Sequence, residues 1–269
     1  MDKSEYHTRD SVFIKKIDEL YKKEKVWCGR DTNDSCKKCR GISEKEGLLY
    51  YGPTLPLYIG SKWHKANLKI LFVGKVIEKS QASKKSCYIG SKNEAYDNIF
   101  NLEGENKKYF RLPFINYLTK TIKYFYDKKI YHIKENKNFE PEDYLAMTNM
   151  VKCGAGSARI NVRFVEKHFA SNCFDKENLN LFDKELKILN PDVVIFLTSG
   201  FYLNQLERRY FLSGSNYPSK YRKGDYWVSK INNTLFIASW HPGRKPNEFV
   251  SESRKLFAGQ IKKFINEFK

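Results

Sequence analysis

Four short apolar segments constrain the fold of this chain more strongly than any other feature of its sequence. Each segment is mainly apolar and continuous rather than alternating, as expected for a strand whose two faces are both covered by other elements. The four segments lie at 68–73, 144–151, 192–197 and 234–240. Helix-like stretches with one apolar face separate or follow them, at 115–126, 179–189, 201–211 and 249–268. This alternation predicts a three-layer α/β/α sandwich with a central, mainly parallel four-stranded sheet.

The chain is predicted to form one domain spanning residues 1–269. Its 269 residues, 41% of them hydrophobic, suffice for one sizeable core, and no repeat or low-complexity linker divides them. Residues 75–113 form a long polar stretch, which we expect to be a substrate-facing insertion or a mobile flap. The charged N-terminal segment and the lack of a long apolar run predict a cytoplasmic protein without a membrane partner. We expect a monomer.

The chain carries a large excess of positive charge. Lys and Arg number 49 against 31 Asp and Glu, which gives a net charge of +18 spread along the whole sequence. A polyanion is the natural partner of such a surface, although a biased composition with solvated basic faces explains the charge equally well. Aromatic residues make up 15% of the chain and favour a nucleic acid, because bases stack on aromatic rings.

Four of the six cysteines suggest a metal site. A chain without an export signal stays among reduced thiols, so disulfides are poor candidates. Cys36 and Cys39 form a C-x-x-C pair in a predicted loop, while Cys153 and Cys173 lie far downstream beside predicted element ends. Four thiolates could converge on one metal centre. The pattern alone leaves zinc, an iron–sulfur cluster, redox chemistry and ordinary buried cysteines open.

The carboxyl ends of the predicted strands are the expected place for chemistry. In open parallel sheets, ligands bind in the crevice outside these ends. Here the strands lead into loops that begin near residues 74, 152, 198 and 241.

Several motifs in a fixed order resemble those of one enzyme family. They are the C-x-x-C pair at 36–39, an apolar strand ending in Phe72-Val73-Gly74, the segment Thr148-Asn149-Met150-Val151-Lys152-Cys153, the strand at 191–197 and Trp240-His241-Pro242-Gly243. In this combination, from about Cys36 to Pro242, the chain resembles the iron–sulfur uracil-DNA glycosylases, families four and five. The resemblance implies an enzyme that flips a base out of DNA and hydrolyses its N-glycosidic bond, leaving an abasic site.

The resemblance also implies a cofactor and its ligands. In that family, four cysteines at matching places hold a 4Fe-4S cluster, and here they are Cys36, Cys39, Cys153 and Cys173. Such a cluster would join the N-terminal segment to the loops near the DNA face. Its role would be structural rather than a redox step in base removal.

His241 and Asn149 are the principal catalytic candidates. Cleavage of the bond between deoxyribose C1′ and the base leaves an anionic base, so the site must stabilise negative charge. His241 matches the family's H-P motif and is the expected donor to the departing base. Asn149 matches the asparagine that reads the Watson–Crick edge of an extruded pyrimidine. From the residues alone, a structural histidine and a capping or turn asparagine remain open.

Other residues match the family's substrate contacts. Phe114 resembles the aromatic residue on which the extruded base stacks, with Phe110 as a fallback and a core phenylalanine as the competing interpretation. Gly74 begins the loop that helps to hold the base. Arg244, in the loop Gly243-Arg244-Lys245-Pro246, resembles the segment that presses into the minor groove, where it would act as a wedge or a phosphate contact.

The first motif departs from the family pattern. Relatives usually carry Gly-Glu-Ala-Pro-Gly or a near variant, whereas this chain has Gly74-Lys75-Val76-Ile77-Glu78. Lys75 thus inverts the charge of the loop that orients the attacking water. One hypothesis assigns the general base to Glu78, or to Glu94 or Asp97 in the following stretch. A second makes Lys75 an amine nucleophile that forms a Schiff base with the sugar.

A third hypothesis concerns the substrate. The altered loop, together with the insertion at 75–113, could reshape the pocket for a bulkier modified pyrimidine of the kind found in phage DNA, which would give the enzyme an antiviral role. Two other classes of protein stay open. One is a non-catalytic iron–sulfur DNA-binding protein that keeps the glycosylase fold, and the other is a zinc-stabilised RNA-binding module that uses the same cysteines.

Overall fold

The structure is a computed structural model of the chain. It describes residues 11–26, 34–46, 49–53, 57–74, 113–131, 139–150, 153–156, 173, 179–198, 210–211, 226–239, 242 and 247–267. The helices are α1 (Ser11–Lys23), α2 (Asp34–Lys45), α3 (Pro113–Asp127), α4 (Leu181–Leu189) and α5 (Asn247–Glu267). The strands are β1 (Leu49–Pro53), β2 (Leu57–Ile59), β3 (Ile70–Gly74), β4 (Ala146–Asn149), β5 (Cys153–Gly156), β6 (Val193–Phe196), β7 (Trp227–Ile231) and β8 (Thr234–Ala238). Short 3-10 helices lie at Trp63–Lys65 and Pro141–Tyr144.

The main sheet is a mixed sheet of six strands in the order β2-β4-β3-β6-β8-β7. The four predicted strands are confirmed as β3, β4, β6 and β8, which lie side by side and parallel to one another. The predicted number of four was wrong, because β2 and β7 add antiparallel strands at the two edges. The protein is therefore a mixed α/β protein whose central strands alone are parallel.

The two edge strands have local explanations. Strand β2 is only three residues long, too short to show a periodic pattern. Strand β7 forms a hairpin with β8 in which Ile231 pairs with Thr234 across a two-residue turn. The first turn residue, Asn232, has a φ of 53°, the left-handed conformation that asparagine tolerates and that tight hairpins require. Asn232-Asn233 was the sequence signal for this hairpin.

Buried side chains form two hydrophobic cores, one on each face of the main sheet. Residues alternate between the cores along each central strand, so that Leu71 and Val73 join the first core while Ile70 and Phe72 join the second. Helices α1, α2 and α4 contribute to the first core, and α3 and α5 contribute to the second. Burial on both faces explains why the central strands are mainly apolar and show no polar–apolar alternation.

A second, smaller sheet pairs β1 with β5 in antiparallel fashion. Pro53 pairs with Cys153 at one end and Leu49 with Gly156 at the other. Helix α2 packs against β1. The sequence did not predict this sheet, and it predicted a loop for Cys36 and Cys39. That prediction was wrong, since both cysteines lie in α2.

The carboxylate of Glu185 joins three elements in the protein interior. It lies on α4, is 0% exposed, and accepts hydrogen bonds from the Tyr21 hydroxyl of α1 and from Thr148 Oγ1 of β4, the latter at 3.2 Å. A buried carboxylate is tolerated only where donors replace its lost hydration. Glu185 therefore holds the carboxyl end of β4 against α1 and α4.

Two sequence predictions fall largely outside the described residues. The insertion or flap at 75–113 is described only at Pro113, the first residue of α3, and the helix-like stretch at 201–211 only at its last two residues. Among the described helices, none combines the length and the apolar character needed to cross a membrane.

Replacing Glu185 should destabilise the protein. We expect Glu185→Ala to lower the free energy of unfolding by about 3 kcal/mol, because two buried hydroxyls lose a charged acceptor. Glu185→Gln retains an acceptor of the same shape and should cost about 1 kcal/mol. Glu19→Ala, at an exposed position of α1, serves as the control and should be nearly neutral. Urea denaturation monitored by circular dichroism measures these differences, and equal midpoints for Glu185→Ala and Glu19→Ala would contradict the anchoring role.

Candidate functional site

Polar residues stand at or just after the carboxyl ends of three of the four central strands, and the fourth ends at a glycine. Strand β4 ends at Asn149 and β3 at Gly74, while Thr198 and Ser239 follow the ends of β6 and β8. Thr198, Ser239 and Asn149 are all buried. The chain thus concentrates buried hydrogen-bonding groups at the edge where parallel sheets bind their ligands.

Gly74 and Asn149 lie side by side at this edge. They are register partners in the parallel β3–β4 ladder, and the amide of Met150 donates to the carbonyl of Gly74 at 3.0 Å. Asn149 is 7% exposed. Its side chain projects to the face of the second core, since Thr148, one residue earlier, points to Glu185 in the opposite direction.

Gly74 allows a close approach that no other residue would allow. A Cβ atom at this position would lie 2.6 Å from Asn149 Oδ1 and 3.6 Å from Cζ of Phe114. The Asn149 amide and the Phe114 ring therefore both lie against the bare α-carbon of Gly74. The structure brings three of the predicted site residues together at one point.

The side-chain amide of Asn149 is available to a ligand. No hydrogen bond to it is found among the described residues, and neither of its polar atoms is among the fully enclosed ones there that lack a partner. Within that part of the chain the amide is therefore neither bonded nor enclosed. A carboxamide in this state offers one acceptor and two donors in a largely desolvated place, where a hydrogen bond to a ligand is strong.

Phe114 presents an aromatic ring beside this amide. It is the second residue of α3, it is half-buried, and it packs against the second core. A ring supported on one side by a core is a rigid surface for a flat ligand. The competing interpretation of a core phenylalanine is supported in part, because the side chain packs against the second core while part of it remains exposed.

Of the four predicted ligand cysteines, the structure describes the side chains of three and only the backbone of Cys153. Cys36 and Cys39 are both buried and lie three residues apart in α2, a spacing that puts both side chains on one face of a helix. Cys153 begins β5, which pairs with the strand against which α2 packs. Cys173 is buried. Among the described side chains, which do not include that of Cys153, no group of three or more metal ligands is found.

The remaining site predictions lie outside the described residues. They are Lys75, Glu78, Glu94, Asp97, Phe110, His241 and Arg244. Strand β8 ends at the same carboxyl edge as Asn149, and His241 follows its last residue by three positions in the sequence.

Sequence reasoning missed an arginine on α5. The Arg254 guanidinium lies 5.1 Å from the centroid of the Tyr117 ring, and its Nε donates to Thr121 Oγ1 at 3.1 Å. Partial burial lowers the pKa of Arg254 from its ordinary value, and burial raises that of the Tyr117 hydroxyl, which shares a 2.9 Å hydrogen bond with Ser253. The available signal was an arginine in a helix whose neighbours at three and four residues' distance include no carboxylate.

Comparison with models of known protein families finds no match to this chain, and a search among curated proteins finds no relative. The function of the site must therefore be inferred from its own residues, their geometry and the motif pattern given above.

Gly74→Ala should disturb the site more than the fold. The new Cβ would displace Asn149 Oδ1, which can rotate away, so we expect a loss of less than about 1 kcal/mol in the free energy of unfolding. Gly60→Ala is the contrasting variant, because its Cβ would overlap the backbone carbonyl oxygens of Glu142 and Asp143, which cannot move cheaply. That change should cost about 3 kcal/mol.

Two measurements check this contrast. Denaturant unfolding gives the stabilities, and the NMR signal of the Asn149 side-chain amide reports its displacement in Gly74→Ala. An unchanged amide signal, or equal destabilisation by the two variants, would show that Gly74 does not set the position of Asn149.

Proposed function

We propose that this protein is a DNA glycosylase of the uracil-DNA glycosylase superfamily, which extrudes a uracil-like or modified pyrimidine from DNA and hydrolyses its N-glycosidic bond to leave an abasic site. The observation that carries the proposal is the meeting of Gly74, Asn149 and Phe114 at the carboxyl edge of the sheet. The three-layer α/β/α arrangement of that superfamily is part of the proposal. It is supported by the two cores on opposite faces of the sheet.

The geometry suits recognition of a flat heterocycle with a polar edge. In the proposed complex the base stacks on the Phe114 ring while the Asn149 amide pairs with its donor and acceptor groups. Gly74 supplies the space between them. A base held in this way is removed from water, which strengthens the hydrogen bonds to its edge.

His241 is proposed to stabilise the departing base. As the bond between C1′ and the base nitrogen breaks, negative charge develops on the base and positive charge on the sugar. A ring N–H of His241 directed at a base oxygen would stabilise that charge. The course of β8 supports this role, because it brings the chain to the edge that holds Asn149. Arg244 is proposed as the wedge or phosphate contact in the same loop.

The water-activating group is assigned to the carboxylates near the first motif. Lys75 stands where the family that this chain resembles carries a carboxylate. Glu78, Glu94 and Asp97 are therefore the candidates for the general base. The alternative, attack of the Lys75 amine on C1′ with release of the base and formation of an imine, predicts a DNA adduct that borohydride traps. The change at Lys75 also favours a bulkier modified pyrimidine over plain uracil, and hence a role against phage DNA.

A 4Fe-4S cluster held by Cys36, Cys39, Cys153 and Cys173 belongs to the proposal. The burial of Cys36 and Cys39 on one face of α2 fits a pair of ligands. The pairing of β1 with β5 fits a third, since it brings the backbone of Cys153 beside the strand that α2 contacts. The cluster would cross-link α2 to β5 and would take no part in bond cleavage.

The second candidate is a non-catalytic iron–sulfur protein that binds DNA with the same fold. The observation that favours it is Lys75, which removes the carboxylate expected to orient water. In either case DNA is the partner, as the net charge of +18 favours, and we propose a cytoplasmic monomer. A zinc-stabilised RNA-binding module would use the same cysteines but would be colourless.

Base excision should depend on Asn149. The assay uses DNA duplexes that contain uracil, hypoxanthine or bulky modified pyrimidines, and it scores strand cleavage after alkali. With the preferred substrate, Asn149→Ala and His241→Ala should each lower kcat/KM by about 10²-fold to 10³-fold, because each removes a group that contacts the leaving base. Asn233→Ala, at an exposed turn position, is the matched control and should retain full activity. Release of no base from any substrate would favour the non-catalytic alternative.

The purified protein should be brown and should contain four iron and four acid-labile sulfide atoms per chain, as the proposed cluster requires. Cys39→Ser should lose this colour and iron, whereas Cys87→Ser should keep both, because Cys87 is outside the proposed ligand set. Iron and sulfide analysis with visible absorption measures the difference. A colourless wild-type protein that holds zinc would overturn the cluster proposal.

A further inference from the structure

Arg254 is held in one orientation by neighbours that leave most of its donors unused. Its Nε donates to Thr121 Oγ1 at 3.1 Å, and one Nη2 hydrogen reaches the carbonyl of Tyr117 at 3.5 Å. The cation lies 5.1 Å from the Tyr117 ring centroid, and the Tyr117 hydroxyl is fixed by Ser253 at 2.9 Å. A guanidinium has five N–H donors, and the Nη1 pair and the second Nη2 hydrogen have no acceptor among the described residues.

No carboxylate neutralises this arginine within the described part of the chain. Its neighbours at three and four residues' distance on α5 are Val250, Ser251, Phe257 and Ala258. Helix α3 carries no acidic residue before Asp127, its last. Half-burying an unpaired cation is costly, and the pKa of Arg254 is accordingly lowered. An anionic ligand would remove this cost.

The arginine lies close to the base site along α3. Phe114, Tyr117 and Thr121 follow one another at spacings of three and four residues, which places them on one face of the helix. The rise of a helix separates Phe114 from the Tyr117–Thr121 segment by about 5–10 Å. At one nucleotide per 3.4 Å of duplex axis, this corresponds to about two or three nucleotides.

We propose that Arg254 binds a backbone phosphate of the DNA strand, two or three nucleotides from the base held by Asn149 and Phe114. Arginine suits this role better than lysine, because its planar fork can donate two parallel hydrogen bonds to two phosphate oxygens. The ring of Tyr117 and the hydroxyl of Thr121 orient that fork before the DNA arrives. Arg254 thereby fixes which nucleotide of the DNA strand lies over the pocket. This role rests on the proposed glycosylase function.

The first test measures the affinity for a synthetic DNA duplex by fluorescence anisotropy over a range of salt concentrations. Arg254→Gln should weaken binding about tenfold at low salt and should lower the slope of log K against log salt by about one. Arg254→Lys should keep the slope and lose part of the affinity. Lys263→Gln is the matched control, since it removes one charge from an exposed position on the opposite side of α5 and should change binding less than about twofold.

The second test identifies the phosphate by comparing the wild-type protein with Arg254→Gln, after circular dichroism has shown that the variant is folded. Phosphates of the duplex are replaced one at a time by uncharged methylphosphonates. Wild-type protein should lose affinity at one position two or three nucleotides from the target base, and Arg254→Gln should be insensitive there. Absence of this coupling at every phosphate, or equal affinities for Arg254→Gln and Lys263→Gln, would overturn the proposal.

The outcomes separate this inference from the proposed function. Coupling of Arg254 to one phosphate in a protein that excises no base would retain the phosphate site and reject the glycosylase. Excision by a protein whose Arg254→Gln variant behaves like the control would do the reverse. Weaker binding of Arg254→Gln to an RNA duplex, with unchanged binding to DNA of the same sequence, would reject the DNA phosphate.

Discussion

The structure depends on covering both faces of four parallel strands. Strands β3, β4, β6 and β8 are mainly apolar on both faces, so neither face of their sheet can remain in water, and helices from both sides supply the two cores. Parallel pairing then directs every carboxyl end to the same edge. The polar residues at the ends of these strands therefore lie at one edge. The packing of the core thus positions the residues of the candidate site.

The register of β4 determines which of its side chains faces the candidate site at the carboxyl edge of the sheet. Thr148 points to Glu185 on one face of the sheet, and Asn149 points to Gly74 and Phe114 on the other. A slip of one residue would exchange the two side chains between faces, leaving an amide beside the buried carboxylate and a hydroxyl in the site. The hydrogen bonds that Glu185 accepts from α1 and β4 oppose such a slip, so a contact on the far side of the sheet helps to position Asn149.

Helices α3 and α5 give the second core a functional surface. Their buried side chains pack against the sheet, while Phe114 of α3 and Arg254 of α5, which contacts α3, remain partly exposed. The aromatic ring near a strand end and the fixed cation, one to two helical turns further along α3, have the spacing proposed for a base and a phosphate two or three nucleotides away. The same packing that stabilises the fold therefore sets the spacing of the two groups, and in the proposed DNA complex neither has to be ordered separately.

The sequence by itself determined the central strands, most helices and the assignment of Gly74 and Asn149 to one site, because these follow from local hydrophobic patterns and from motifs at the carboxyl ends of predicted strands. Tertiary structure alone decided the two antiparallel edge strands, the β1–β5 sheet and the helix that carries Cys36 and Cys39. The contacts of Glu185 with Tyr21 and Thr148, and of Arg254 with Tyr117, join residues more than 30 positions apart. Such contacts form when helices and strands pack together. The local sequence around each residue therefore does not indicate its partner.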